Sequence, residues 1–462
     1  MKTSVDEVLN PQSIAVIGAS REPASVGQGV LKGLVQGCFM DSGFCKPFKG
    51  KIFPVNPNAS EILGLKCFPS IKEVPEQVDL AIVCVPAPIV PAVARECAEK
   101  KVKGIIVISA GFAELGPQGK ARQDELLKIC NEAGITLVGP NCLGFLRPPA
   151  AINASFALSS PPPGSIAFIT QSGAIADSVI DWAIKERYAF SAIISVGNAA
   201  QQGIAEFIEW AARDASTKVI TVYVEGVADG RRLMNAVRET TKTKPVVILK
   251  AGRTTAGLQA VTSHTGSMAG SFQVFTAAMK QAGAIMADSI EEMFDLAKAL
   301  AEQPRLKQNA VAIITNGGGA GVLCADYCAQ YGVNLVALKP ETIAKLDATG
   351  KMHAAYSRRN PLDLVGDALA DRYKAAVETL LDEPYVHGLI VVQTLQTMTQ
   401  PVADAALLIE AQKKHPEKPI ISVFMGGKFS AEAVSLLESN NVPDFNDPKK
   451  AAKAMAALGG LL

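Results

Sequence analysis

The chain is short of aromatic residues, long apolar runs and surplus charge, and each shortage excludes something. Aromatics make up 6% of the 462 residues, and no uninterrupted apolar stretch of about 18 residues exists to span a bilayer. No membrane association is expected. Lys and Arg number 45 against 44 Asp and Glu. With no run of like charges long enough to form a tail, nucleic acid is a poor partner as well. The N-terminal MKTSVDEVLNPQS has no signal-peptide apolar core. The nine cysteines show no CxxC spacing, and an odd number cannot all pair within one chain. Reduced thiols, no metal site and a cytoplasmic location are the simplest expectation. There is also no GxxxxGKS/T loop, so no nucleotide site of that kind is expected on this chain.

What is present suits packed α/β layers: 48% hydrophobic residues and 38 glycines. At roughly 100 to 200 residues per domain the length predicts about three. Short β-branched runs (SIAVIG, KIFPV, VDLAIVCV, GIIVIS, ITLVG, then SIAFIT, SAIISVG, VITVYVE, PVVILKA) alternate with helix-length amphipathic segments. Strands this apolar on both faces predict doubly wound parallel sheets covered by helices on both sides. Three segments repeat one plan, a buried strand running through a glycine-containing turn into a helix: Ile14 to Gly29, Ile166 to Ala176 and Val311 to Ala325. The breakers SSPPPG and QPRLKQN precede the second and third. Domains are therefore expected at 1–155, 156–303 and 304–462.

In IAVIGASREPASVGQG, Gly18 falls at a strand end and Gly27 and Gly29 near a helix start, where free N–H groups and the helix dipole attract phosphate. The spacing is not GxGxxG, and the following strand ends in Pro54, Asn56 and Pro57 where a ribose-binding acid would stand. An NAD-linked oxidoreductase is thereby disfavoured, and the turn of an empty unit stays open beside a phosphate ligand of another shape. Later strand ends carry Pro86 and Pro88, Ala110 to Phe112, and Asn141 and Cys142. Four such loops at the carboxyl ends of one open sheet predict a crevice.

Of four histidines, only His264 sits among small hydroxyl and glycine neighbours, in KAGRTTAGLQAVTSHTGSMAGS. Such neighbours leave an imidazole accessible and let its loop approach a phosphate closely. A neutral imidazole is a competent nucleophile near pH 7, and a carboxylate on its other nitrogen would steady the charge that develops. Glu225, ending VITVYVE ahead of Gly226, is the candidate, with an exposed strand-end glutamate as the plainer alternative. Two helix starts could cradle phosphate: Gln171, Ser172 and Gly173 after SIAFIT, and Asn316, Gly317, Gly318 and Gly319 after AVAIIT. Either could be a plain tight turn.

These motifs in this order, SIAVIGAS, FPVNPN, ISAGFAELG, GPNCLGF, ITQSGA, SVGN, KAGRT, SHTGSMAG and TNGGGAG, resemble the α subunit of ADP-forming acyl-CoA synthetases, in the succinyl-CoA synthetase superfamily, over essentially the full length. The resemblance implies a Rossmann-like CoA-binding domain followed by two flavodoxin-like ligase domains. It implies acyl-CoA, phosphate and ADP converted reversibly to acid, CoA and ATP through an acyl phosphate, with His264 as the phosphorylated residue and Glu225 as its partner. Ser172, Gly173 and Asn316 to Gly319 would bind phosphate. Gly18, Ala19, Ser20, Gly27, Asn56, Pro86, Gly111, Phe112 and Asn141 would hold CoA. ADP or ATP with Mg would sit on a separate ATP-grasp β subunit, in an α2β2 assembly. One stretch departs from the pattern: after SVGN this chain reads AAQQGIAEFIEW where relatives place acids early, which leaves that loop's role and part of the acid specificity open. A non-catalytic CoA- or nucleotide-sensing module is the rival reading, and it would have no use for His264.

Overall fold

A computed structural model describes residues 5–265 and 271–462, without the side chains of residues 262–265. The chain is α/β and divides into two compact units, Met1–Ser289 and Ile290–Leu462.

The first unit contains two sheets. One has five parallel strands in the spatial order Lys51–Val55, Ser13–Ile17, Leu80–Val83, Gly104–Val107, Thr136–Val138. Every residue of Ser13–Ile17 is buried, as a central strand covered on both faces requires. The second and third of these strands in chain order lie on opposite sides of the first, so the chain winds both ways from it and a crevice opens beyond the carboxyl ends. Past Ile17 the backbone turns at Gly18, with φ +89°, into the helix Val26–Gln36. The Ser25 side chain caps this helix by accepting from the Gln28 N–H, and Gly37 ends it in the left-handed region.

The second sheet has seven strands in the order Ile285–Ala287, Val246–Lys250, Val219–Val224, Pro163–Thr170, Phe190–Ser195, Gly144–Arg147, Ile152–Ser155. The first five are parallel. The last two form an antiparallel hairpin that pairs with Phe190–Ser195. Arg147 fixes this hairpin: its guanidinium pairs with Asp214 at 2.9 Å and lies over the Trp210 ring at 5.0 Å.

The second unit is built on four parallel strands in the order Leu362–Asp363, Val311–Thr315, Gly388–Thr394, Ile420–Met425. Helix Ile290–Glu302 belongs to this unit. Its buried Lys298 pairs with Glu438 on the helix Ala431–Glu438.

The expectation of reduced thiols fails at one place. Cys38 and Cys45 form a disulfide, because the loop after Gly37 turns back and brings their Cα atoms to 5.6 Å. The other seven cysteines are free, Cys84 half-buried and the rest buried. Among the described residues, Cys38, Asp41 and Cys45 are also the only group of thiols and carboxylates spaced for a metal, but both thiols are spent in the disulfide. No described helix is long and apolar enough to cross a membrane.

Candidate active site

A cavity of about 620 Å³ opens beyond the carboxyl ends of the five-stranded sheet. Its wall takes Val26 from the first helix, Cys84, Ser109 and Asn141 from the strand ends, and Gln171 to Ala174 from the start of the helix Gly173–Glu186. The crevice of one sheet thus meets the first helix start of the next. Ser172 caps that helix by accepting from the Ile175 N–H at 3.3 Å, while its own N–H donates to Thr170 Oγ1 at 3.0 Å. A β carbon on Gly173 would come no nearer than 3.4 Å to any neighbour. The N–H groups behind Ser172 and the positive end of the helix dipole therefore face a space that can take an anion.

Of the residues expected to hold CoA, Asn141 lines this cavity. It adopts φ +58°, donates its N–H to the Ser109 carbonyl at 3.0 Å and reaches Asn198 Oδ1 with its side-chain amide at 3.3 Å. The others follow strand ends at the same edge without lining the cavity. Gly27 faces the turn at Gly18, where a β carbon would overlap the Gly18 carbonyl oxygen. The residue permits a close approach of helix to strand. Asn56 donates to the Ala19 carbonyl at 2.7 Å, and Ser20 Oγ accepts from the Glu22 N–H at 3.0 Å, so both brace the first turn. Pro86 precedes the single turn Ala87–Ile89. The N–H groups of Gly111 and Phe112 donate to Glu114 Oε1 at 2.6 and 3.1 Å, and Asn198 donates to Glu114 Oε2 at 2.6 Å. Burial alone would raise the Glu114 carboxyl, but these hydrogen bonds outweigh it and hold it below the usual range.

The stretch after SVGN works as a bolt between the two sheets. Gln201 Oε1 accepts from the Leu137 N–H at 2.8 Å, and its amide donates to Asn131 and to the Ile135 carbonyl. Glu206 caps the next helix through the Gly203 N–H at 2.9 Å.

Glu225 lies one residue beyond the strand Val219–Val224 and is buried. Its carboxylate accepts from the Tyr223 hydroxyl. Burial, then the Glu225 charge, pushes the Tyr223 phenol up to about 12. Gln171 Oε1 accepts from the N–H of Glu225 at 2.6 Å and of Gly226 at 3.0 Å, and Lys250 Nζ donates to the Glu225 carbonyl at 2.8 Å. Sequence reasoning placed Gln171 in the turn without this task and missed Lys250 and Tyr223. The signal within reach was Lys250 itself, a charge closing an otherwise apolar strand beside the strand that leads into Glu225. The backbone of His264 lies in the helix Thr255–Thr265, but its side chain falls outside the described residues. The remaining histidines have local roles, His353 Nδ1 accepting from the Ala355 N–H at 3.0 Å and His415 facing Asp382 at 3.4 Å. Burial, then Lys418 and Lys307, lowers the pKa of His387.

In the second unit, the side chain of Asn316 is hydrogen-bonded within the protein. It joins two strand ends, donating to the Thr394 carbonyl at 2.9 Å and accepting from the Thr394 N–H at 2.7 Å. Gly317 leaves room for Thr394, and Gly318 for the Asp363 carboxylate, 2.8 Å from where a β carbon would stand. Gly319, inside the helix Gly318–Gln330, faces open space.

Three families match successive parts of the chain: the CoA binding domain over residues 12–148, the succinyl-CoA ligase like flavodoxin domain over 163–300 and the ligase-CoA domain over 311–461. The α subunit of ADP-forming acetate–CoA ligase II from Pyrococcus furiosus is 41% identical over 459 residues, covering 98% of this chain and 97% of that one. ADP-forming acetate–CoA ligase I from Archaeoglobus fulgidus is 40% identical over 455 residues, but the chain spans only 63% of that longer protein. Among solved structures, acetyl-coenzyme A synthetase 1 of Ca. Korarchaeum cryptofilum in complex with phosphate and ADP superimposes with a TM-score of 0.92 at 35% identity, over 98% of this chain and 96% of that one.

Proposed function

Because the chain belongs to the ADP-forming acetate–CoA ligase family, within the succinyl-CoA ligase superfamily, we propose that it is the CoA-binding, phosphohistidine-carrying subunit of an acyl-CoA synthetase. The observation that carries this reading is the single cavity joining the strand-end crevice to the Ser172–Gly173 helix start. A thioester held in the crevice meets a phosphate held at that helix start. Phosphate oxygen attacks the thioester carbon, the C–S bond breaks, and CoA leaves as its thiol once protonated. The acyl phosphate then gives its phosphoryl group to the imidazole of His264: the P–O bond to the acyl group breaks, a P–N bond forms, and the acid leaves as carboxylate. Glu225 steadies the positive imidazole during the transfer. A second cleavage, of P–N, passes the phosphoryl group to ADP.

The chain contributes position and charge stabilisation, the usual sources of catalysis in phosphoryl transfer. The helix start at Gly318 and Gly319 serves as the second phosphate site. ADP or ATP, with Mg, is held by a separate ATP-grasp subunit, and the working assembly is α2β2. CoA and ADP as substrates carry with them a cytoplasmic location.

The test uses the chain alone with acetyl-CoA and labelled phosphate. An acid-labile, base-stable label that disappears in His264→Ala supports the reading. Label persisting in His264→Ala moves the relay elsewhere. CoA binding without any label leaves a sensing module.

A further inference from the structure

Glu225 is held by its neighbours to a degree that a strand-end residue does not need. The strand Val219–Val224 lies between Pro163–Thr170 and Val246–Lys250, with Thr170 opposite Tyr223 and Val224 opposite Lys250. Gln171 is the first residue past one neighbouring strand and Lys250 is the last residue of the other. Each flank therefore supplies one clamp.

Gln171 uses its whole amide on the turn. Oε1 accepts from the Glu225 and Gly226 N–H groups, and Nε2 donates to the Gly226 carbonyl at 2.9 Å. Lys250 donates to the carbonyls of Glu225 at 2.8 Å and Ala251 at 2.5 Å. The peptide groups on both sides of Glu225 are thus fixed by side chains. Lys250 is only 3% exposed, and the effective cost of burying an ammonium group is several kcal/mol. A neutral side chain would fill the space and spare that cost. The cation stands where the Glu225 charge offsets part of what burial takes from it.

We propose that Gln171 and Lys250 are positioning residues for Glu225: they fix its backbone from two sides so that its carboxylate meets the phosphoryl-accepting imidazole in one orientation. Gln171 belongs to the cavity wall as well as to the clamp, so it also ties the Glu225 turn to the place where substrate binds. The inference rests on the role given to Glu225 above. Lys250 stands outside the cavity lining and acts only through that residue.

A double-mutant cycle on the full chain tests it, reading the rate of phosphate labelling from acetyl-CoA together with the Kd for CoA. Gln171→Leu and Lys250→Met should each slow labelling about tenfold or more, on the scale expected of small misplacements at a reacting centre, and Lys250→Met, whose side chain does not line the cavity, should leave Kd for CoA unchanged. Lys250→Arg should restore most of the rate. In a Glu225→Gln background the same two substitutions should cost less than about twofold, because the group they position is already lost. Full additivity in that background, or a parallel loss of CoA affinity in Lys250→Met, overturns the proposal. Where Lys250→Met melts below the assay temperature, the Gln171→Leu cycle decides. Failure of the underlying reading looks different: the unaltered chain takes no label, or Glu225→Gln alone changes nothing.

Discussion

Gln393 Nε2 donates to Asp404 Oδ2 inside the C-terminal unit, and the pairing leaves Gln393 Oε1 and Asp404 Oδ1 buried without partners. Burial pushes the Asp404 carboxyl up from 3.8 to about 7, against the pull of the Gln393 bond. A protonated carboxyl has a hydrogen to offer the orphaned amide oxygen; a carboxylate has none. Between about pH 4 and 7 the folded chain keeps a proton that the unfolded chain has lost. The stabilisation is therefore complete below about pH 4 and disappears as pH rises to about 7, a tenfold difference in proton affinity being worth about 1.4 kcal/mol. Denaturant titrations should find the C-terminal unit less stable at pH 8 than at pH 5. Asp404→Asn should reduce that slope, the remainder belonging to Asp444, whose carboxyl burial also pushes up to about 7, and gain stability on the order of a few kcal/mol at pH 8. An unaltered slope in the variant would assign the pH dependence to other groups.

Two glycines at helix starts should respond to alanine in opposite ways. At Gly27 the added methyl collides with the Gly18 carbonyl, which is rigid backbone, whereas at Gly319 it meets nothing within 4 Å. Gly27→Ala should lose about 2 to 3 kcal/mol or more through overpacking, and Gly319→Ala should gain up to about 1 kcal/mol in helix propensity. Thermal melts of the two variants check this, and equal Tm values would refute it.

Thiol counting tests the disulfide. Alkylation in denaturant without reductant should modify seven cysteines, and nine after reduction. Peptide mapping should place the protected pair at Cys38 and Cys45. Nine modified without reductant would return the loop to the reduced state expected from sequence.

The repeating strand–turn–helix plan was legible because each unit is local: an apolar run, a glycine and an amphipathic helix fall within about twenty residues of one another. The family was legible in motifs such as SHTGSMAG and TNGGGAG for the same reason. What sequence hid was distant in the chain. Nothing about Asn316 marks it as a brace until Thr394 arrives beside it from another strand. That Gly27 also lets its helix lie on Gly18 is visible only once the two are brought together. Glu114 carries no mark of its own until the N–H groups of Gly111 and Phe112 and the distant amide of Asn198 converge on it. The helix Ile290–Glu302 precedes the breaker QPRLKQN and falls largely within the stretch matched by the flavodoxin domain; that its Lys298 is buried against Glu438 in the C-terminal unit depends on a residue 140 positions away.

The hairpin of Gly144–Arg147 and Ile152–Ser155 decides where this gene can be cut. Its first strand falls inside the stretch matched by the CoA binding domain and its second in the gap before the flavodoxin domain, yet its hydrogen bonds complete the edge of the second sheet beside Phe190–Ser195. A recombination joint placed at residue 148 would split the two strands between different products and leave Phe190–Ser195 as a naked apolar edge, the kind that recruits strands from other molecules. A domain transplant that keeps its second module soluble has to break the chain before Gly144, so that the hairpin travels with the sheet it closes.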